Sequence, residues 1–329
     1  DRQFVAGRLL ERHLGDAMTP LLSRFADNSY WLARYVERAE NLARVLDVTE
    51  TFSQDRNAAE DWQAILQIYS DEKVFAKTHD KLTARNVLLF YLIDRSNLNS
   101  VASSIDMARN NARSLRHLIS TEMWLQLNVF DAWLDGMNAR KVTLSGLSGL
   151  CTQIKEACQT HTGLVEGTLF RDQVWLFYNL GKQIERADQI SRLLDIKYYQ
   201  MEAAGADEQA DISWWNTLLR SAAGYHAFRR QHPRGLSPEK AVDFLLFNPD
   251  FPRSLTCCVN AAGTYLAAIE KATKRKTGSP KDRPFADLKA LATGSTVRQV
   301  MSRGLHEHID DVQLKIDRLN SAVHDLLFV

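Results

Sequence analysis

The chain has 329 residues, 45% hydrophobic and 25% charged, with 15 Gly and only 7 Pro; this composition excludes a disordered or fibrous chain and leaves room for one large helical domain or two ordinary ones. Lys and Arg number 41 against 40 Asp and Glu, which excludes a global field that would draw in nucleic acid or an anionic membrane, so any charged function is local. The longest apolar run, VLLFYLI at 87–93, falls far short of the roughly 20 residues of a membrane-spanning helix.

Residues 1–17 carry neither the basic stretch nor the apolar stretch of a secretory signal, so a cytoplasmic protein is expected. From there the apolar residues recur at three and four spacing and no segment alternates with period two, which predicts an all-α protein. The first strong helix is expected from Leu21 to Ser53, its stripe of Leu32, Val36, Ala39, Ala43 and Leu46 facing a core. Helices follow near 58–72, 84–94, 98–119, 121–136 and 144–165, then a second strong one over 172–203. Beyond an acidic break, AAGADEQAD at 203–211, the pattern predicts helices near 212–223, 238–247, 254–273 and 305–327, separated by QHPRG, FNPDFP and the basic loop KATKRKTGSPKDR at 271–283. A helix of ~33 residues spans ~50 Å, so an elongated bundle is expected. The cysteines at 151, 158, 257 and 258 form neither a disulfide framework nor a paired metal site and are expected as buried thiols.

The two strong helices resemble each other. Tyr30–Val48 aligned with Tyr178–Ile196 matches at 8 of 19 positions, including Tyr30/Tyr178, Glu37/Glu185, Arg38/Arg186 and Arg44/Arg192, while Arg34 meets Lys182. Trp62 and Leu66 then match Trp215 and Leu219, and FYLIDRSNLNSV at 90–101 matches FLLFNPDFPRSL at 244–255. The expected architecture is therefore two tandem repeats of about 150 residues, 18–145 and 146–329, packed about a pseudo-two-fold axis as one domain. At 100° per residue Tyr30, Arg34, Glu37, Asn41 and Arg44 share one arc, as do Tyr178, Lys182, Glu185, Gln189 and Arg192, on the side away from Leu32, Leu42 and Leu46. Two readings stay open: each glutamate satisfies an arginine of the opposite helix in a buried network, or both line a ligand cavity at the axis.

SRFADNSYWLARYVERAENLARVLDV at 23–48, ARNNARSLRHLISTEMWLQLN at 108–128 and FPRSLTCCV at 251–259 resemble the bacterial alpha-E domain family, and the resemblance runs from Met18 to the C-terminus. Residues 1–17 are left as an upstream extension of unknown role. The resemblance implies an accessory to a circularly permuted ATP-grasp ligase, with transglutaminase-like peptidases as further neighbours, in a system that makes and processes a peptide or amide. The chain has no Gly-rich phosphate cradle of its own, so the ligase chemistry is assigned to a partner.

Other candidates follow from spacing. Arg109, Arg113 and Arg116 form a basic stripe that either grips an anion or pairs with the repeat-helix glutamates. Ser100 and Ser254 stand where helix N-caps belong, and Arg253 has no counterpart in the first half, where Asn99 stands, which makes it a candidate ligand contact. His306 and His308 lack the i, i+4 spacing of a helical metal pair and no ExxH pattern occurs, so neither metal nor cofactor is expected. The expected function is an accessory binding protein whose polar centre, Glu37, Arg38, Arg44, Glu185, Arg186 and Arg192, holds an amino-acid-like ligand or a partner. The alternatives are an amide-processing enzyme with Glu37 and Glu185 as paired acid and base, and a purely structural bundle.

Overall fold

The computed structural model describes residues 21, 23–53, 58–204, 208–273 and 283–327. The expected extension over 1–17, most of the basic loop and part of the acidic break lie outside the described residues. Every regular element among the described residues is helical and none is a strand, as the unbroken three-and-four spacing requires. Two long helices make the centre, α1 (Ser23–Ser53) and α8 (Gln173–Ala204). Between them in the chain lie α2 (Ala58–Ile68), α3 (Glu72–Thr78), α4 (Ala84–Leu92), α5 (Val101–Ser114), α6 (Thr121–Asp135) and α7 (Leu147–Thr168). After α8 come α9 (Glu208–Ser221), α10 (Tyr225–Gln231), α11 (Pro238–Phe247), α12 (Leu255–Ala272), α13 (Arg283–Gly294), α14 (Val297–Arg303) and α15 (Leu305–Leu327).

The most extensive packing is between α1 and α8, and α1 is covered by α5, α7 and α9 while α8 is covered by α12, α15 and α2. The helix that follows each long helix thus crosses to lie on the other one. Small residues allow the central approach. A Cβ on Gly181 of α8 would stand 2.2 Å from the carbonyl oxygen of Tyr30 on α1, a separation only glycine permits. Nearby, Ser29 donates its hydroxyl to the Val174 carbonyl at 2.7 Å and pins the N-terminal turns together.

Leu32, Leu42 and Leu46 are fully buried, and Tyr30, Arg34, Glu37 and Asn41 of the polar arc are buried as well, because the arc away from the leucines meets other helices instead of water. Four helices carry no expectation from the sequence: α3, α10, α13 and α14. The helix expected over 58–72 stops at Ile68, where Ser70 takes a left-handed backbone, φ 54°. Ala223 does the same after α9, φ 56°, and in both turns the next amide bonds five residues back, Asp71 N to Leu66 O and Gly224 N to Leu219 O, a Schellman closure. Ser100 and Ser254 cap α5 and α12 as expected, accepting from the amides of Ser103 and Cys257 at 3.1 Å. Cys151, Cys158 and Cys258 are buried free thiols, and Cys257 is half-buried.

Candidate functional site

Two carboxylates lie at the α1–α8 crossing, each facing the other helix. Glu185 is fully buried and accepts from Arg34 Nε at 2.7 Å and from Arg38 through Nε at 2.8 Å and Nη2 at 3.2 Å. Gln189, one turn along α8, donates to the same carboxylate at 3.2 Å. Arg34 is held in turn by the Tyr30 hydroxyl at 3.3 Å and by Asn320 Oδ1 of α15 at 2.8 Å, and its guanidinium lies 4.7 Å from the Trp31 ring centre. Arg34 is thereby fixed by contacts beyond the carboxylate, which makes its geometry there rigid.

Glu37 is the reciprocal group on α1. Arg186 Nε of α8 lies 2.9 Å from its Oε1, close enough for an ion pair although the N–H is not aligned on that oxygen. Arg253, in the turn before α12, donates Nη1 to Glu37 at 2.6 Å and to Asn41 Oδ1 at 2.7 Å, and Nη2 to Glu40 at 3.0 Å. Glu40 also accepts from Arg44 at 2.5 Å, and Asp188 from Arg192 at 2.9 Å in the matching place on α8. Lys182, the counterpart of Arg34, reaches outward to Glu166 of α7 at 3.5 Å.

Burial alone would raise both glutamates, yet the opposed arginines outweigh it. Glu37 is held down to about 2 by Arg186 and Arg253, and Glu185 well below the ordinary carboxylate range by Arg38 and Arg34. Both are ionised at neutral pH. Burial pushes the Lys182 ammonium down, helped by Arg186 beside it, and pushes the Tyr178 hydroxyl well up.

The expected residues are thus sorted by the geometry. Glu37, Arg38, Glu185, Arg186, Arg34, Arg44, Arg192, Tyr30 and Arg253 fall in or against the centre. Tyr178 and Lys182 lie at its edge. The basic stripe is elsewhere, and its expected pairing with the repeat-helix glutamates is corrected. Arg109 donates to Asn128 at 2.8 Å and pairs with Asp131 on α6, Arg113 is exposed, and Arg116 lies beyond the end of α5 against Trp124. Asn128 and Asp131 of α6 hold Arg109 away from the central glutamates. Residues not anticipated are Asn320, which orders Tyr30 and Arg34, and Tyr69, whose hydroxyl donates to Gln189 at 3.3 Å; Asn320 lies on α15 and Tyr69 in the turn after α2, both distant in sequence from their partners, and no local pattern signals them. His306 pairs with Asp195 at 2.6 Å and approaches Asp310 at 3.5 Å. These three could hold a cation by proximity, but the imidazole already gives one nitrogen to each carboxylate, which is the arrangement of a protonated histidine between two acids.

Fold and centre together define a class: an all-helical domain organised on two long helices that exchange Glu–Arg contacts, with a Glu-Arg pair on each. The chain belongs to the Alpha-E family, described as a predicted alpha-helical domain with a conserved ER motif, whose model matches residues 21–328. It is similar to uncharacterized proteins of Mycobacterium bovis and Mycobacterium tuberculosis, each 23% identical over 252 residues that cover 70% of this chain. The matched segment is 28% of each relative, so the chain spans under a third of their length. No solved structure matches it. No helix among the described residues is long and apolar enough to cross a membrane.

Proposed function

We propose that this chain is an accessory binding protein for an ATP-grasp peptide or amide ligase system, built as two tandem repeats about a pseudo-two-fold axis. In this reading the Glu–Arg centre orders a cationic face and carries no acid–base step. The observation that supports it is the state of the two glutamates: each is buried, ionised and already holds two guanidinium groups. A general acid needs a carboxyl with a raised pKa and a general base needs reach to the substrate. Neither Glu37 nor Glu185 meets these needs.

Cations outnumber anions at the centre. Arg34, Arg38, Arg44, Lys182, Arg186, Arg192 and Arg253 face Glu37, Glu40, Glu185 and Asp188, with Glu166 at the rim. The side chains of Arg38, Arg186 and Arg253 retain 17%, 15% and 13% exposure, so glutamate-anchored guanidiniums border on solvent. The complement to such a face is acidic, a carboxylate-bearing ligand or an acidic partner surface. Reciprocity supports the duplicated arrangement: Glu37–Arg186 answers Glu185–Arg38, and the Ser70 turn answers the Ala223 turn. The length of the relatives is consistent with a partner domain, since most of each lies outside the matched segment.

The test is reconstitution with a circularly permuted ATP-grasp ligase from the same source, reading ATP turnover and amide product with and without this chain. Stimulation that falls with Arg38→Gln or Arg253→Gln, read at a temperature where circular dichroism shows each variant still folded, is expected. A chain that makes or cleaves an amide alone, and loses this with Glu185→Gln, overturns the reading. Variants that lose stability but still stimulate reduce the centre to a structural role.

A further inference from the structure

Outside the paired glutamates a cleft of about 410 Å³ opens where α1, α7, α9 and the start of α10 meet, a size within the roughly 300–1,000 Å³ of small-molecule sites. Its wall carries Arg44, Lys155, Arg220 and His226, with Tyr225 between the last two and Asp47 as the carboxylate. Asp47 is occupied, accepting from Lys155 Nζ at 2.6 Å. Arg44 gives Nε and Nη2 to Glu40 and makes no further hydrogen bond among the described residues, so Nη1 is left over. Arg220 has no ion pair among them at all: its guanidinium lies 4.0 Å from the centre of the Tyr225 ring, which fixes the plane while leaving the N–H donors unused. His226 likewise makes only a ring contact with Tyr225, at 5.3 Å.

We infer that this cleft binds the carboxylate or phosphate group of a small organic anion, with Arg220 and Arg44 as principal donors. A planar guanidinium held on an aromatic ring is pre-positioned for bidentate contact with either oxyanion. Lys155 adds charge and, through Asp47, a fixed position. A second consequence follows from Arg44. It shares Glu40 with Arg253, which holds Glu37, so occupancy of the cleft is linked through one chain of ion pairs to the central Glu–Arg motif. The inference stands on the cleft alone and does not need the ligase reading to hold.

The experiment is isothermal titration calorimetry of the full chain with inorganic phosphate and, separately, with L-glutamate, at constant ionic strength in chloride. Saturable one-to-one binding of at least one probe is expected, weakened tenfold or more by the double variant Arg220→Gln with His226→Gln. These side chains are exposed and form no ion pairs among the described residues, so the variant is expected to melt at the wild-type temperature, which circular dichroism checks. Preference for phosphate or for glutamate assigns the ligand class. Absence of saturable binding to both probes at millimolar concentration overturns the inference, as does binding that the double variant leaves unchanged. Stimulation of a ligase that survives the double variant leaves the proposed function standing while the titration decides the cleft.

Discussion

Glu185 accepts from Arg34 and Arg38 with none of its surface left to water, so Gln in its place strands the Arg34 guanidinium inside the molecule and leaves that of Arg38 unpaired at its edge. Breaking a buried pair from one side costs about 3–5 kcal/mol, and Glu185→Gln is expected to lower the free energy of unfolding in urea by that amount. Arg38→Gln is expected to cost less, since Arg38 keeps partial exposure and Arg34 still neutralises the carboxylate. A Glu185→Gln protein as stable as wild type would mean that the network contributes nothing net. Titration carries the same logic. Glu37, held at about 2, supplies stability present above the unfolded value near 4.3 and lost as pH falls through the folded one. His306 has the opposite sign: the Asp195 contact raises its pKa against partial burial. Its contribution is full below the unfolded value near 6.5 and disappears as pH rises through the folded value. The stability difference between wild type and His306→Gln is therefore expected to shrink from pH 6 to pH 9, measured by denaturant unfolding at each pH; a constant difference would sink the assignment. His161, lowered to about 4 by burial, is common to both proteins and cancels in that difference.

The turn after α9 places an alanine where the backbone is left-handed, a conformation that costs a Cβ-bearing residue roughly 1–2 kcal/mol. Glycine removes that cost and returns part of it as unfolded-chain entropy, so Ala223→Gly is expected to stabilise by about 0.5–1 kcal/mol. At the central crossing the direction reverses. Gly181→Ala drives a Cβ into the Tyr30 carbonyl, and because both partners are helix backbone the strain is met only by moving α1 from α8, an expected loss of at least 1–3 kcal/mol. Thermal unfolding of both variants gives the two signs. Elements of this kind were unevenly readable from sequence. The long helices announce themselves because apolar spacing persists over many turns. By contrast α3, α10 and α14 are seven residues each, under two turns, too short for a period to appear. The polar arc of α1 was readable as an arc, with a buried network as one of two readings, and one helix's spacing is silent about which neighbours cover it. Glu37/Arg38 and Glu185/Arg186 stood out because they repeat; Asn320 and Tyr69 repeat nothing and became visible only when α15 and the turn after α2 packed against the centre.

Over the whole molecule the ion pairs couple the two ends of the sequence. The cations on Glu37 are Arg186 and Arg253, both from the second half, and those on Glu185 are Arg34 and Arg38, both from the first. Packing repeats the exchange, with α2 lying on α8 and α9 on α1. A half expressed alone therefore keeps a buried carboxylate without its cations, a loss of about 3–5 kcal/mol, and a long helix without its principal apolar cover, against a total of about 5–15 kcal/mol that holds an ordinary domain together. Residues 1–145 and 146–329 purified separately are expected to show weak, non-cooperative thermal transitions by circular dichroism. Mixed at equal concentration they are expected to recover one cooperative transition, whose midpoint rises with concentration because association and folding are then a single equilibrium. Glu37→Gln in the first fragment together with Glu185→Gln in the second is expected to abolish that recovery. Were each fragment to unfold cooperatively by itself and remain monomeric on mixing, the halves would be independent domains and the reciprocal Glu–Arg contacts an incidental feature of how they dock.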